Sequence, residues 1–467
     1  MKNRILILTV CACFIMQITN GQDIIVTKDS KSIHAKVTEI NVDDVKYQNF
    51  DHQDGPLYTL PKSNILTIVY QNGQVETFDS ENQTQASQTQ KQPATASSQT
   101  QIEGSGDGTS ENPFRIATAE QLAQLAQDVN DGNDYTSIHF VLIADIDLST
   151  YGTDWNGGKG WIPIGHSNDA RFLGNFDGAG HKISNLFIDH NGYDNTGLFG
   201  YVFGGKVKNF RIVDAMVSGG KYTGSVAGTV GFNGGVMNCY TTGKVKSDGD
   251  GAGGVAGMVR GAPMGTVRGT VFNSYSACEV SGNDGVGGVA GIVMSGSVVN
   301  CHADGAVSGK NRIGGIAGSI IEGNYASVST SYATGSVTGE RYVGGVAGYI
   351  RGGSMGNISF YSIHSCVALN PDVSGNRDVA RIVAAISGAS LRDVWANANQ
   401  YVTAGGNPKT KLANRAGGLD GVDMPAGSDR IESWWSDGIF KGGWGTTDTA
   451  PWQWDSEHSR PVLYWQL

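Results

Sequence analysis

Gly253-Gly254-Val255-Ala256-Gly257 recurs, in nearly the same five-residue form, along the middle of a 467-residue chain. Before it stand Thr196-Gly197-Leu198-Phe199-Gly200 and Gly224-Ser225-Val226-Ala227-Gly228. After it come Gly287-Gly288-Val289-Ala290-Gly291, Gly314-Gly315-Ile316-Ala317-Gly318 and Gly344-Gly345-Val346-Ala347-Gly348. Ala380-Arg381-Ile382-Val383-Ala384 reads as a worn seventh copy, and the successive spacings are 28, 29, 34, 27, 30 and 36 residues. A period of this size with variable inserts marks a solenoid, which overrides the prior of about three domains of ~150 residues.

A second motif keeps step with the first. Asn238-Cys239-Tyr240-Thr241-Thr242-Gly243-Lys244-Val245 aligns with Asn300-Cys301-His302-Ala303-Asp304-Gly305-Ala306-Val307. Asn273-Ser274-Tyr275, Thr330-Ser331-Tyr332 and His364-Ser365-Cys366 are placed in the same register. Each repeat thus holds two or three short strands with tight turns and no helix-length apolar pattern. Glycine supplies 40 of the 160 residues from Gly197 to Gly356, which would destabilise helices by ~1 kcal/mol per glycine relative to alanine. Short glycine-bearing strands do not stand alone either. Stacking alike coils answers both problems, because each strand pairs with its copies above and below while Val and Ile form internal ladders. Parallel crossovers are nearly always right-handed, so the expected fold is all-β, a right-handed parallel β-helix. Six or seven coils at ~4.8 Å each span roughly 30–35 Å.

The Gly-Leu-Phe-Gly stretch at Gly197–Gly200 and the Gly-Gly-Val-Ala-Gly series resemble the GLUG-motif repeat of bacterial surface proteins. So do Ala144-Asp145-Ile146-Asp147-Leu148, Trp161-Ile162-Pro163-Ile164-Gly165 and the run from Phe176 to Leu186, with Trp452-Gln453-Trp454 before Pro461-Val462-Leu463. The likeness covers residues 104–467 and implies an exported, adhesin-like β-helix. Some proteins with these repeats are IgA-cleaving metallopeptidases whose catalytic part lies elsewhere.

The rest of the chain fits export. Met1 to Gly21 has Lys2 and Arg4 before the apolar run Ile5 to Met16, the pattern of a signal peptide. That run is too short for a membrane span of ~20 residues, and no later stretch replaces it. Cys11 and Cys13 lie inside the apolar run, so no lipid anchor is expected. Residues 22–79 read as a small antiparallel β domain of about five strands, with a hairpin at Asn72-Gly73. It loosely resembles a short module at the front of exported Bacteroidetes proteins. Residues 80–104 are a Gln/Ser/Thr-rich linker with too little apolar surface to fold. Residues 105–467 form the β-helix, with clear repeats over about 196–390. Thr118-Ala119-Glu120-Gln121 is a capping box, and Leu122, Leu125, Ala126 and Val129 follow at helical spacing, so one helix caps the solenoid.

Net charge is −10 with 16% charged residues, which lacks the basic footprint of nucleic-acid binding. His-Glu-x-x-His is absent, so a zinc peptidase has no carrier for its ligand spacing. Gly352-Gly353-Ser354-Met355-Gly356 satisfies G-x-S-x-G but lacks the strand-to-helix setting of a nucleophile elbow. Asp145 and Asp147 share a strand face, and Asp177 is a third acid for glycan cleavage or Ca²⁺; the competing reading is a solvated face and a turn. Cys239, Ser274, Cys301, Ser331 and Ser365 form one inward column, with Cys278 and Cys366 offset and no structural disulfide. Trp434, Trp435, Trp444, Trp452, Trp454 and Trp465 crowd the last 34 residues. They are expected to cap the solenoid's end, with sugar stacking as the alternative.

No catalytic, cofactor-binding or metal residue is assigned, and no cofactor is expected. The leading expectation is a non-enzymatic surface-binding protein, exported to the cell surface, the medium or the periplasm. Its contacts, with glycans or with host or bacterial surface proteins, come from strand faces and the inserts Gly261–Thr270 and Glu322–Ser329. The alternatives are a polysaccharide lyase or glycoside hydrolase using Asp145, Asp147 and Asp177, and a structural stalk.

Overall fold

The computed structural model describes residues 23–27, 32–41, 43–49, 56–69, 75–77, 106–190, 192–262, 267–321, 326–352, 361–409, 414–415 and 417–466. The expected signal peptide, linker and Asn72-Gly73 turn lie outside them. The chain divides into two compact units, Met1–Ala96 and Ser97–Leu467.

The first unit is an antiparallel sheet ordered β4-β3-β2-β1-β5-β6. Its strands are β1 (Asp23–Thr27), β2 (Ser32–Ile40), β3 (Asp44–Asn49), β4 (Tyr58–Pro61), β5 (Ile65–Val69) and β6 (Val75–Thr77). Ile25, Ala35, Val45, Ile65 and Ile68 are buried together. The sixth strand, unforeseen from the sequence, is β4. It ends on a proline, which an edge strand tolerates, and Tyr58 stacks on Tyr47 with ring centroids 5.6 Å apart.

The second unit is a parallel β-helix. One copy of the glycine motif opens each rung of a seven-stranded parallel sheet: Phe199–Phe203, Ala227–Gly231, Ala256–Arg260, Ala290–Met294, Ala317–Ile321, Ala347–Arg351 and Val383–Ser387. The last pairs Ala347 with Val383, confirming the worn copy. Val226, Val255, Val289, Ile316, Val346 and Ile382 are fully buried. Their amides bond from each coil to the next, Val255 N to Val289 O at 3.0 Å and Val289 N to Ile316 O at 3.0 Å. Glycine is required beside them by crowding between coils. A Cβ on Gly314 would overlap the Ala317 carbonyl oxygen, and one on Gly318 would overlap the Val286 amide nitrogen.

The second parallel sheet carries longer strands than the sequence suggested. Gly235–Gly253 runs 19 residues around the coil's corners, and Tyr275–Gly287 runs 13. The main core extends from Ile116 to Ala396. A smaller one, including Val280, Val286, Val307, Ile313, Val337, Val343, Val373 and Val379, fills a side lobe.

Helix α1 (Ala119–Asn130) caps the first coils as expected. Thr118 Oγ1 accepts from Gln121 N at 3.3 Å, and Leu122, Leu125, Ala126 and Val129 enter the main core. The tryptophan-rich tail does not cap the far end. Its rings pack against Tyr240, Tyr275, Tyr332 and Val367, so the tail lies along one flank. The correction has a physical cause: the outward column of rings gives the tail's aromatic side chains an apolar surface to pack against. At that last coil Ile382 and Val383 instead donate to the Leu419 carbonyl at 3.1 and 3.0 Å.

Candidate functional site

The flank begins with a corner. Asn209, Asn238, Asn273, Asn300, Thr330 and Ser365 all have positive φ, between 48° and 59°, a conformation asparagine tolerates better than most residues. Where asparagine recurs, the amides form rungs between coils. Asn238 Nδ2 donates to Asn209 Oδ1 at 2.9 Å, and Asn300 Nδ2 donates to Asn273 Oδ1 at 3.1 Å.

The residue after each corner turns inward, giving Phe210, Cys239, Ser274, Cys301, Ser331 and Cys366. Ser331 pairs with Cys366, so Ser365 is the corner and Cys366 belongs to the column. Size alone places Ser365 in the column, one residue out of register; its positive φ places it at the corner. The four described cysteines are free and buried. Burial pushes the Cys301 and Cys366 thiols up to about 12, so neither is a ready nucleophile.

The next position turns outward: Tyr240, Tyr275, His302, Tyr332, Val367 and Trp395. The first four rings stack at centroid separations of 4.8, 3.9 and 4.9 Å. Trp435, Phe440, Trp452 and Leu463 of the tail cover them. Tyr332 Oη donates to the Pro461 carbonyl at 2.6 Å, and Arg460 Nη1 donates to Asp304 Oδ2 at 2.9 Å. Tyr275 Oη and Thr334 Oγ1 also donate to Asp304, at 2.8 and 2.7 Å. Burial pushes the Asp304 carboxyl up, but His302, Arg460 and these hydrogen bonds outweigh it and hold it below its ordinary value. His302 is fully buried with neither ring nitrogen bonded, and burial drives its pKa down to about 4.

Where the tail meets the earlier coils, a cleft of about 600 Å³ opens among Asp177, Asn209, Arg211, Asn238, Tyr464 and Trp465. Asp177 accepts from Ala179 N at 2.8 Å and Asn209 Nδ2 at 3.0 Å, and pairs with Lys208 at 3.2 Å. Asn238 Oδ1 and Trp465 Nε1 are buried without a hydrogen-bond partner. The sequence displayed the column of Tyr240, Tyr275, His302 and Tyr332, but nothing in it located the tail beside them.

The acids proposed for glycan cleavage do not converge. Asp145 accepts from Lys182 N at 3.1 Å and pairs with His181 at 3.1 Å, while Asp147 accepts from Ser149 N at 2.9 Å and Asn185 Nδ2 at 2.8 Å. These hydrogen bonds hold both carboxyls below their ordinary value, so neither is suited to be a proton donor. Asp177 sits in register with Val141, not with the Ile146 step that separates the other two. Among the described residues no group of three or more His, Cys, Asp or Glu is placed to hold a metal ion. Gly353 to Gly356, residues 263–266 of the first insert and the opening residues 322–325 of the second lie outside the described residues. No helix among the described residues is long and apolar enough to cross a membrane.

Stacked parallel coils with a tail fastened along one flank define a β-helix solenoid protein. No family model matches the chain. Halomucin of Haloquadratum walsbyi is 36% identical over 183 residues, 38% of this chain and 2% of halomucin. A protein of Evansella cellulosilytica, provisionally described as a Gly-rich membrane protein, is 35% identical over 134 residues, 28% of this chain and 15% of that one. The chain therefore spans a small part of the curated relatives it matches. Among solved structures, a Bacteroides ovatus protein provisionally assigned as an immunoglobulin A1 protease has a TM-score of 0.52 at 23% identity, covering 78% of this chain and 96% of that chain. At that identity the likeness speaks for the fold.

It also corrects one expectation. The expectation of a non-enzyme rests on the rod and the missing motifs, yet a protein of the same fold bears a protease name. A solenoid is a scaffold on which chemistry is grafted, so its architecture is no argument against catalysis. The non-enzyme expectation is withdrawn.

Proposed function

We propose that this chain is an exported, adhesin-like surface-binding protein whose β-helix is held out for contact with glycans or surface proteins. The observation that carries this reading is the flank: one tail bridges coils from Asn238 to Tyr332, leaving a concave seam on a rigid support. Rigid display limits the entropy lost when a partner binds. The resemblance to GLUG-type repeats supports a place outside the cytoplasm, as do the names of halomucin and the Gly-rich membrane protein.

Glycan and protein arrays probed with the purified chain test the reading. Selective retention on either supports it, and silence on both removes it. Binding that survives deletion of residues 104–467 would make the β-helix a stalk for the first unit. Incubation with immunoglobulin A1 is a further arm, suggested by the name of the Bacteroides ovatus neighbour. Discrete cleavage products would replace binding with peptide hydrolysis as the primary activity.

A further inference from the structure

We infer that one corner of the solenoid, carrying Arg171, Phe203, Phe232 and Arg260, is a docking surface for a linear acidic polysaccharide. The inference rests on the surface-binding reading above and gives it a ligand class. The corner is built by stacking. Phe172 bridges Val202, so Arg171 stands one coil before Phe203. Phe203, Gly231 and Arg260 then occupy one column on successive rungs. Gly231 keeps that column open, since a Cβ there would stand 2.9 Å from Arg260 Cγ and 3.1 Å from the Phe203 ring. Phe232, next in the chain at φ 49°, brings its ring into the pile. The Arg171 guanidinium lies 5.2 Å from the Phe203 ring centre, and the two phenylalanines stack at 5.2 Å. The Arg260 guanidinium completes the pile, 5.3 Å from the Phe232 ring centre.

Stacking on a ring holds a guanidinium plane in place and leaves its N–H edge for an anion. Both arginines are half-buried. Only Arg260 Nε is enclosed; the Nη atoms of both side chains reach the surface. Neither guanidinium has a hydrogen-bond or carboxylate partner among the described residues. In a chain of net charge −10, two unpaired cations on one line call for a partner of opposite sign. Tyr201, edge-on to Phe203 at 5.6 Å, adds a phenol within electrostatic reach of both. Burial and Asp194 raise its pKa more than Arg260 and Arg171 lower it, so the hydroxyl stays a donor. Asp194 is itself engaged, accepting from Lys221 N at 2.8 Å. The arginines are three coil steps apart, about 14 Å along the axis. A polymer of uronic acids carries a carboxylate on every unit, so it meets both forks in many registers, with a bidentate pair at each. A peptide is a poorer match. Phe199–Phe203 is already paired with the Phe172 segment on one side and Ala227–Gly231 on the other, so no strand edge is open to it.

The test titrates the full chain calorimetrically with a galacturonic acid dodecamer, with its carboxyl-reduced form and with polyglutamate of equal charge. Arg171→Gln and Arg260→Gln each delete one fork. Arg430→Gln, on a side chain 79% exposed in the C-terminal tail, removes the same charge and is the control. The expected result is saturable binding of the acidic dodecamer and none of the reduced form. Either corner substitution should weaken it about three- to fivefold, as for one lost ion pair, and Arg430→Gln should leave it unchanged. Arg260→Lys, which keeps the stem and the charge, should fall between the native chain and Arg260→Gln, separating a lost fork from a damaged fold. No binding, equal binding of the reduced form, an equal loss with Arg430→Gln, or polyglutamate bound as tightly as the dodecamer overturns the proposal. Should the arrays then still show glycan or protein retention, the broader reading stands and only this corner is removed.

Discussion

Arg460 Nη1 lies 2.9 Å from Asp304 Oδ2, joining the tail to a coil 156 residues earlier in the chain. Asp304 keeps Tyr275 and Thr334 as donors without it, so the carboxylate is not abandoned if the arginine goes. Side-chain exposures of 17% and 31% place the pair partly in solvent. Arg460→Ala should therefore destabilise the tail by about 1–3 kcal/mol. Hydrogen exchange should accelerate across Trp452–Leu463 while Ala317–Ile321 stays protected; equal acceleration of both would show that the tail is not a separable brace.

His302 gives the flank a pH dependence. The imidazole is enclosed by Tyr275, Tyr332, Trp452 and the Asp304–Arg460 pair, and its pKa falls from 6.5 to about 4. The unfolded residue takes up its proton near pH 6.5 and the folded one near 4. Falling pH thus favours the unfolded state. The contribution is full above about pH 6.5 and is lost progressively down to about pH 4, roughly 3 kcal/mol in total. Chemical denaturation at stepped pH should show this slope in the native chain and a flatter one in His302→Phe. Identical slopes would exclude His302 as the cause.

Crowding between coils fixes the glycine motif. Gly314→Ala should destabilise the chain by about 2–3 kcal/mol, since the new methyl meets backbone and not a yielding side chain. Gly192→Ala, with open space around it, should change the melting temperature little. Equal effects would mean that glycine composition, not position, matters.

Cys301 and Ser331 occupy one column and make the same bond. Cys301 Sγ donates to the Val299 carbonyl at 3.2 Å, and Ser331 Oγ donates to Ser329 O at 2.7 Å, each two residues back. Cys301→Ser should therefore cost less than about 1 kcal/mol. In the native chain the described thiols should react with an aromatic disulfide reagent only upon unfolding; rapid labelling under native conditions would contradict the inward column.

The coils were legible in the sequence because the constraint on them is local and repeated. Every rung needs a small residue where Gly253, Gly287, Gly314 and Gly344 approach the next backbone, so the pattern is written out again at each turn. Capping of α1 was legible for the same reason, since Thr118 and Gln121 are three residues apart. The tail was not. Nothing in the spacing of Trp435, Trp452 and Arg460 says whether they face the last coil or Tyr332, because that choice depends on surfaces made by distant residues. Ser365 and Cys366 were misread because corner backbone, not side-chain size, sets the register.

In-register stacking can be measured directly. Lys246, Ser281, Ser308, Thr338, Ser374 and Thr403 occupy one column on successive coils. Spin labels at Lys246 paired with Thr338 and with Thr403, the buried native thiols staying unlabelled, report the climb by dipolar spectroscopy. Stacked coils require the second separation to exceed the first by roughly 10 Å, two steps of ~4.8 Å, with narrow distributions. Equal separations, or distributions too broad to resolve the step, would contradict the solenoid.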